Sequence, residues 1–201
     1  MFSSSITRHR PITSGTSHTS FAAVCAAAFL AAAPTALAQE LVIGEVTIEP
    51  GITFIFEGAV RDHVAPMAQN LAEDQTHVHI EARVNWAESG IPEGTPPGGF
   101  VPYLNIHAVV MSESTGQIKF ATLIPHINLI DNFHYARNIR LPGLVTDLYS
   151  VRFYVNPPDD FALARHRDWL VNYGERLLPE PVMFNYDTVD FREIATAPPR
   201  Q

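Results

Sequence analysis

The stretch THVHIEARVNW, residues 76 to 86, decides the fold of this chain. One set of alternate residues is mostly apolar: Thr76, Val78, Ile80, Ala82, Val84 and Trp86. The intervening set is polar: His77, His79, Glu81, Arg83 and Asn85. A strict period of two is typical of a β-strand with one face on a core, whereas a helix would scatter both sets. The stretch therefore predicts a strand.

The polar side of this strand is suited to a metal ion. Residues two apart in a strand are separated by roughly 6.5–7 Å, so His79 and Glu81 can point into the same small volume. Imidazole and carboxylate groups suit iron, copper or zinc, and the loop oxygens of a calcium site are missing. A solvated strand face produces the same pattern, so the strand alone leaves both interpretations open.

Residues 1–38 are predicted to be a cleaved secretory signal peptide. Arg8 and Arg10 precede an apolar run over residues 21–33, and the small-residue pattern of residues 36–38 follows. The run, about 13 residues, is short for a membrane span, so a removed signal is favoured over a retained anchor. We expect no membrane insertion of the mature chain.

Removing the signal changes the composition of the chain. Cys25 is the single cysteine and lies in the signal, so the mature chain has no disulfide and no thiolate ligand. Two of the 13 basic residues leave and none of the 21 acidic ones, which changes the net charge from −8 to −10. An acidic exported domain does not suit nucleic acid and suits cations, although acidity also serves solubility.

Residues 39–201 are predicted to form a single domain. The 16 prolines indicate short elements separated by turns, and no long helical pattern occurs. This spacing favours an all-β fold, an immunoglobulin-like antiparallel β-sandwich, with a barrel as the alternative. The predicted strands cover residues 41–48, 52–57, 76–86, 100–111, 117–124, 147–155 and 181–191.

Two segments have no clear pattern. Residues 125–137 are neither helical nor extended, and we interpret them as a loop that carries His126 and His134. Residues 161–178 are equally compatible with a short helix and with a structured loop.

Seven histidines remain after residue 38, and histidine is the commonest protein ligand of transition metals. No HExxH motif is present, which excludes the usual zinc-protease arrangement, and GxSxG and GxGxxG motifs are absent. A metal site must then combine residues from separate strands and loops. The smallest set that would hold copper or iron is His79, Glu81, His126 and His134. We expect His63, His77 and His107 to be ordinary surface or strand-face residues.

Three runs of the chain resemble a known family. They are HVHIEARVNWAE (77–88), GFVPYLNI (99–106) and a P-x5-D-x2-HYA-x-N-I block (125–139). Together they are similar to the FetP-type family of periplasmic iron-transport proteins, in which the RHRD run (165–168) falls where a further histidine is found.

The resemblance implies a fold, a function and ligands. The family consists of immunoglobulin-like β-sandwich homodimers of the periplasm that bind a copper ion and an iron ion and assist an inner-membrane iron permease. Carried over by position, His79, Glu81 and His134 would be metal ligands. His166 would complete the site from the partner subunit, so that the metal site would lie near the dimer interface.

One departure from the family bears on the metal. Family members usually have methionine after the proline of the loop, whereas His126 follows Pro125 here. Loss of the thioether would shift preference from Cu(I) towards Cu(II), iron or zinc. Whether His126 takes the place of the methionine stays open.

Three functions follow as hypotheses. The first is a periplasmic copper- and iron-binding protein of high-affinity iron uptake, without catalysis. The second is a mononuclear metalloenzyme in which Glu81 acts as general base beside a bound water. The third is a metal-free structural or adhesion sandwich.

Overall fold

The computed structural model describes residues 40–129 and 132–199. The predicted signal peptide, residues 1–38, lies outside the described residues, so its cleavage stays a prediction. Within the described ranges no helix is both long enough and apolar enough to cross a membrane.

The described residues form an all-β fold, as predicted, and every strand pair is antiparallel. The helical segments are short: a 3-10 turn at Glu73–Gln75, α1 at Arg167–Tyr173 and α2 at Arg192–Thr196. The strands are β1 (Glu40–Ile48), β2 (Ile52–Ala59), β3 (Val78–Trp86), β4 (Asn105–Ser112), β5 (Ile118–Asn128), β6 (Asn132–Ile139), β7 (Leu148–Asn156) and β8 (Val182–Asp190).

The eight strands are hydrogen-bonded in the order β1-β2-β3-β6-β5-β4-β7-β8. Strand β5 joins the two halves of this sheet. Its residues 118–123 pair with β4, and its residues 124–128 pair with β6. Pro125 lies just beyond this change of partner and has no N–H to donate to a ladder, which suits the place where a strand moves between neighbours.

The core lies between the two halves of the sheet, where aromatic side chains of β2 meet those of β7 and β8. The rings of Phe56 and Phe153 are stacked with centroids 4.1 Å apart. The edges of the sheet also approach each other: a Cβ on Gly44 of β1 would lie 2.1 Å from the ring of Tyr186 on β8, so this approach requires glycine. Each fully buried Phe contributes about 1.5–3 kcal/mol.

The structure corrects part of the strand prediction. Residues 125–128 form the end of β5 and residues 132–137 most of β6, so these parts of the predicted loop are strands. The strand predicted over residues 100–111 begins only at Asn105, and Phe100 makes an isolated bridge with Asn85. The ambiguous segment 161–178 contains the short helix α1.

Candidate metal centre

Strand β3 carries His79 and Glu81 on the side that faces away from the core. The alternate residues Ile80 and Ala82 are completely buried in the core, as the period of two predicts. The outward side is buried at these two positions as well, since His79 is only 6% exposed and Glu81 only 2%. This part of the polar face of β3 is therefore not a solvated surface.

His126 and His134 join this face through the pairing of β5 with β6. The two histidines lie directly opposite each other in the ladder, where Cβ atoms are about 4.5–5.5 Å apart. On its other side β6 pairs with β3, with Tyr135 opposite Ala82. This register places His134 next to Glu81 on the same side of the sheet. His126, which is opposite His134, lies on that side too.

Three imidazoles consequently converge. One ring nitrogen from each of His79, His126 and His134 lies within 4.8 Å of the other two, which makes this the one such cluster of possible metal ligands in the part of the chain that the structure describes. The Oε2 atom of Glu81 is 3.8 Å from Nε2 of His79 and 3.6 Å from Nε2 of His134. The four residues predicted as the smallest ligand set are thus brought together.

The environment keeps His126 neutral. Burial, followed by the nearby His79 and His134 and then Arg137, lowers the pKa of His126 to about 3. Its side chain is partly exposed, but its Nε2 is buried and has no hydrogen-bond partner among the described residues. A neutral ring offers a lone pair, and a bound cation would satisfy this buried nitrogen.

The donor set fits a transition-metal ion. Zinc, for comparison, binds imidazole nitrogen at about 2.0–2.1 Å, so two nitrogens on one ion are at most about 4.2 Å apart. A spread of up to 4.8 Å is close to this limit. The donors are nitrogen and oxygen, which suit copper(II), iron or zinc better than copper(I).

Asn138 on β6 supports the cluster and was not predicted as a site residue. Its Oδ1 is 2.7 Å from Nδ1 of His79, and both side chains are buried. Asn138 belongs to the HYA-x-N-I block, which is the one signal in the sequence that could have indicated it. Its contact with His79 spans 59 residues, so local pattern does not predict it.

A buried ion pair also lies beside the cluster. Glu57 on β2 is directly opposite Glu81 on β3 and is completely buried. Arg83 donates to both oxygens of Glu57, at 2.6 and 2.7 Å. Arg83 thereby offsets the charge of Glu57.

The remaining histidines lie outside the cluster. His166 is exposed and borders a cavity of about 360 Å³ that is also lined by Trp86 and Trp169. His107 on β4 has its Nδ1 3.2 Å from the hydroxyl of Thr122, and its ring stacks on Phe120. His63 is exposed, and Nδ1 of His77 accepts a hydrogen bond from the backbone of Leu141.

The fold and the cluster together define a class: an all-β domain that buries three imidazoles and a carboxylate on one side of its sheet, a donor set suited to a transition-metal ion. A family model described as Fe2+ transport protein matches residues 37–192, and the chain belongs to this family of iron-transport proteins. The resemblance found in the sequence is confirmed.

Solved structures of similar proteins agree with this assignment. A copper-bound variant of P19 from Campylobacter jejuni is 27% identical, with a TM-score of 0.63, and the match covers 74% of this chain and 95% of P19. A copper-bound variant of FetP from uropathogenic Escherichia coli is 22% identical, with a TM-score of 0.62 over 74% of this chain and 95% of FetP, and shows the fold alone.

A curated relative is more similar over a shorter stretch. The 34 kDa membrane antigen of Treponema pallidum is 30% identical over 134 residues. The match covers 66% of this chain and 64% of the antigen, so the chain spans less than two thirds of that relative.

Proposed function

We propose that this chain is a periplasmic copper- and iron-binding protein that takes part in high-affinity iron uptake with an inner-membrane iron permease. The observation that carries the proposal is the convergence of three imidazoles from three neighbouring strands beside the buried Glu81. Membership of the Fe2+ transport family and likeness to copper-bound P19 support it.

We assign His79, His126 and His134 as ligands, with Glu81 as a further donor. Here His126 takes the place of the methionine that the FetP-type family usually has. A copper or iron ion would supply a one-electron redox couple, while this chain would supply neutral imidazoles and one negative charge. The acidic composition of the chain favours attraction of cations in general.

Calorimetric titration of residues 39–201 with Cu(II), Fe(II) and Zn(II) tests this assignment. We expect tight binding of Cu(II), and loss of it in His79→Ala, His126→Ala and His134→Ala. His107→Ala is the matched control, because His107 also lies on a strand but has no second histidine beside it. Full binding by all three cluster variants would contradict the proposal.

The role of Glu81 separates a binding protein from an enzyme. We propose that Glu81 is a ligand and not a general base, and that the protein binds metal without turning over a substrate. Glu81→Gln should then weaken cation binding. Metal-dependent turnover that disappears in Glu81→Gln while the metal still binds would favour the metalloenzyme instead.

We also propose a homodimer in which His166 reaches the cluster of the partner subunit. Within one chain His166 is exposed and lies outside the cluster, so it is available to a second copy. His166→Ala and His79→Ala should each weaken binding, and mixing the two variants should restore some native sites in heterodimers. Mixtures that recover nothing would argue that each chain binds alone.

The role in iron uptake has a cellular test. Cells that lack this protein should take up less radioactive iron at low external concentration, and His134→Ala should not restore the uptake. Co-purification with an iron permease would identify the membrane partner. Normal uptake in the deletion strain would refute the transport role without affecting the binding assignment.

We propose that the two halves of the sheet form an immunoglobulin-like β-sandwich of a single domain over residues 39–201. The aromatic contacts of Phe56 with Phe153 support two facing layers. An experimental structure with the mean strand directions of the layers about 30° apart would agree, and a closed barrel would not.

A further inference from the structure

We propose that Asn138 is a positioning residue that fixes the proton of His79 on Nδ1, so that Nε2 is the nitrogen offered to a cation. The consequence for metal binding rests on the proposed function, whereas the position of the proton is a property of the metal-free chain. Asn138 is 3% exposed and His79 6%, so bulk water competes little for this contact.

The orientation of the Asn138 amide is determined by its other partners. Its Nδ2 donates to the backbone oxygen of Asp62 at 2.9 Å and to that of Leu71 at 3.0 Å. An amide nitrogen has two hydrogens, and both are used here. Interchanging the amide oxygen and nitrogen would place Oδ1 against two carbonyl oxygens, where no donor exists.

This orientation determines the tautomer of His79. Oδ1 of Asn138 can only accept, and it lies 2.7 Å from Nδ1 of His79, so Nδ1 must carry the hydrogen. In the neutral ring the lone pair is then on Nε2. Nε2 is the atom on the side of Glu81, at 3.8 Å from its Oε2, and hence faces the cluster.

The same amide anchors the segment that leads from β2 to β3. Asp62 lies near the start of this segment and Leu71 in its second half, and Arg137, adjacent to Asn138, donates to the backbone oxygen of Gln69 between them. The side chain of Asn138 therefore contacts both His79 and the segment that leads from β2 to β3. Partners that orient a metal-binding histidine in this way typically change metal affinity by 10–100-fold when they are removed.

The first test needs no metal. Long-range proton–nitrogen NMR correlation on the metal-free protein, with ¹⁵N-labelled histidine, reports which ring nitrogen carries hydrogen. We expect His79 to show a hydrogen on Nδ1 and none on Nε2 at a pH where the ring is neutral. A neutral His79 with its hydrogen on Nε2 would overturn the inference.

The second test separates positioning from structural support. Asn138→Leu removes the acceptor, and we expect release of the Nδ1 tautomer and about 10–100-fold weaker Cu(II) binding. Asn138→Asp keeps an acceptor oxygen for Nδ1 but turns its other oxygen towards the two backbone carbonyls, so we expect stability to fall while the tautomer is retained and Cu(II) binding weakens less than in Asn138→Leu. Equal losses in both variants would assign Asn138 a structural role only.

Asn70 provides a matched control. It is also buried, at 5% exposure, and its Nδ2 donates to Pro66 in the same segment, at 3.3 Å, with no hydrogen bond to a histidine. Asn70→Leu should leave the tautomer of His79 and the Cu(II) affinity unchanged. If it shifts both as much as Asn138→Leu does, the segment and not the amide sets the tautomer, and the inference is wrong.

The outcomes distinguish this inference from the proposed function. A protonated Nδ1 on His79 in a protein that binds no cation would support the tautomer and refute the function. Tight Cu(II) binding by a protein whose His79 carries its hydrogen on Nε2 would do the reverse. Should Asn138→Leu fail to fold, the wild-type spectrum and Asn138→Asp still decide.

Discussion

Two outer surfaces of the same sheet carry histidines, but only one of them forms a cluster of possible metal ligands among the described residues. The histidine face, on β3, β6 and the end of β5, buries His79, Glu81 and His134 to 6% exposure or less. The open face, on β4, β7, β8 and the start of β5, leaves Phe120 58% and Met183 51% exposed. Alternation along the strands is common to both surfaces, so alternation alone does not make a site.

The difference lies in the register between strands. On the histidine face, His126 stands directly opposite His134, and β3 adds His79 and Glu81 from the next strand. On the open face, His107 stands opposite Thr122 and Tyr154. A histidine therefore becomes a candidate ligand when its cross-strand neighbours are also donors.

The largest expected effect separates these two surfaces directly. His134→Ala should abolish specific Cu(II) binding, because its imidazole is one of the three converging donors and lies on β6, the middle of the three strands that carry the cluster. His107→Ala should leave the affinity unchanged. Calorimetry on both variants measures this difference, and a comparable loss in each would remove the distinction between the surfaces.

The second effect concerns the ion pair beside the cluster. Arg83→Met should lower the free energy of unfolding by about 3 kcal/mol, since it leaves the fully buried Glu57 without its partner while Arg83 itself is one-third exposed. Adding Glu57→Leu should recover most of this loss. Urea denaturation measures both changes.

An exposed ion pair provides the control for this prediction. Asp160 pairs with Arg165 at 3.3 Å, but its side chain is 77% exposed. Asp160→Asn should therefore cost less than about 1 kcal/mol. If both substitutions lower the free energy of unfolding equally, burial on the histidine face does not determine the strength of an ion pair.

A smaller effect depends on pH. In the folded chain the pKa of His126 is about 3, against 6.5 ordinarily, so between these values the unfolded chain binds a proton that the folded chain does not. The metal-free protein should lose stability as pH falls below 6.5, and His126→Leu should lose it less steeply. Denaturation midpoints between pH 4 and 7 measure the slopes.

The smallest effect is expected on the open face. Phe120→Thr replaces a half-exposed ring, so the free energy of unfolding should change by only about 0.5 kcal/mol and the affinity for Cu(II) should not change. Denaturation and calorimetry check both. A large loss of stability would show that the open face is covered in solution.

The sequence predicted the features that depend on local pattern. The period of two over residues 76–86 predicted β3 and placed His79 and Glu81 on one side, because alternation is a property of a single strand. Histidine content and the family resemblance predicted the set with His126 and His134. The all-β class followed from the spacing of β-forming runs and turns.

The features that were missed depend on pairing between distant residues. Residues 125–137 lacked a clear pattern because β5 changes partners near Pro125, so its two faces are not simply core and solvent. The pairs of Glu57 with Arg83 and of His79 with Asn138 span 26 and 59 residues. The register between strands determines which side chains meet across them. A single sequence does not show this register.

The hairpin that joins β5 to β6 has a consequence for related sequences. Because the ladder fixes His126 opposite His134 as far as the pair Asn128 and Asn132, extra residues inserted between those two asparagines would lengthen the connection without separating the ligands. One residue inserted between Pro125 and His126 would instead turn the imidazole to the opposite side of the sheet. Homologues should therefore tolerate insertions in the first place and not in the second.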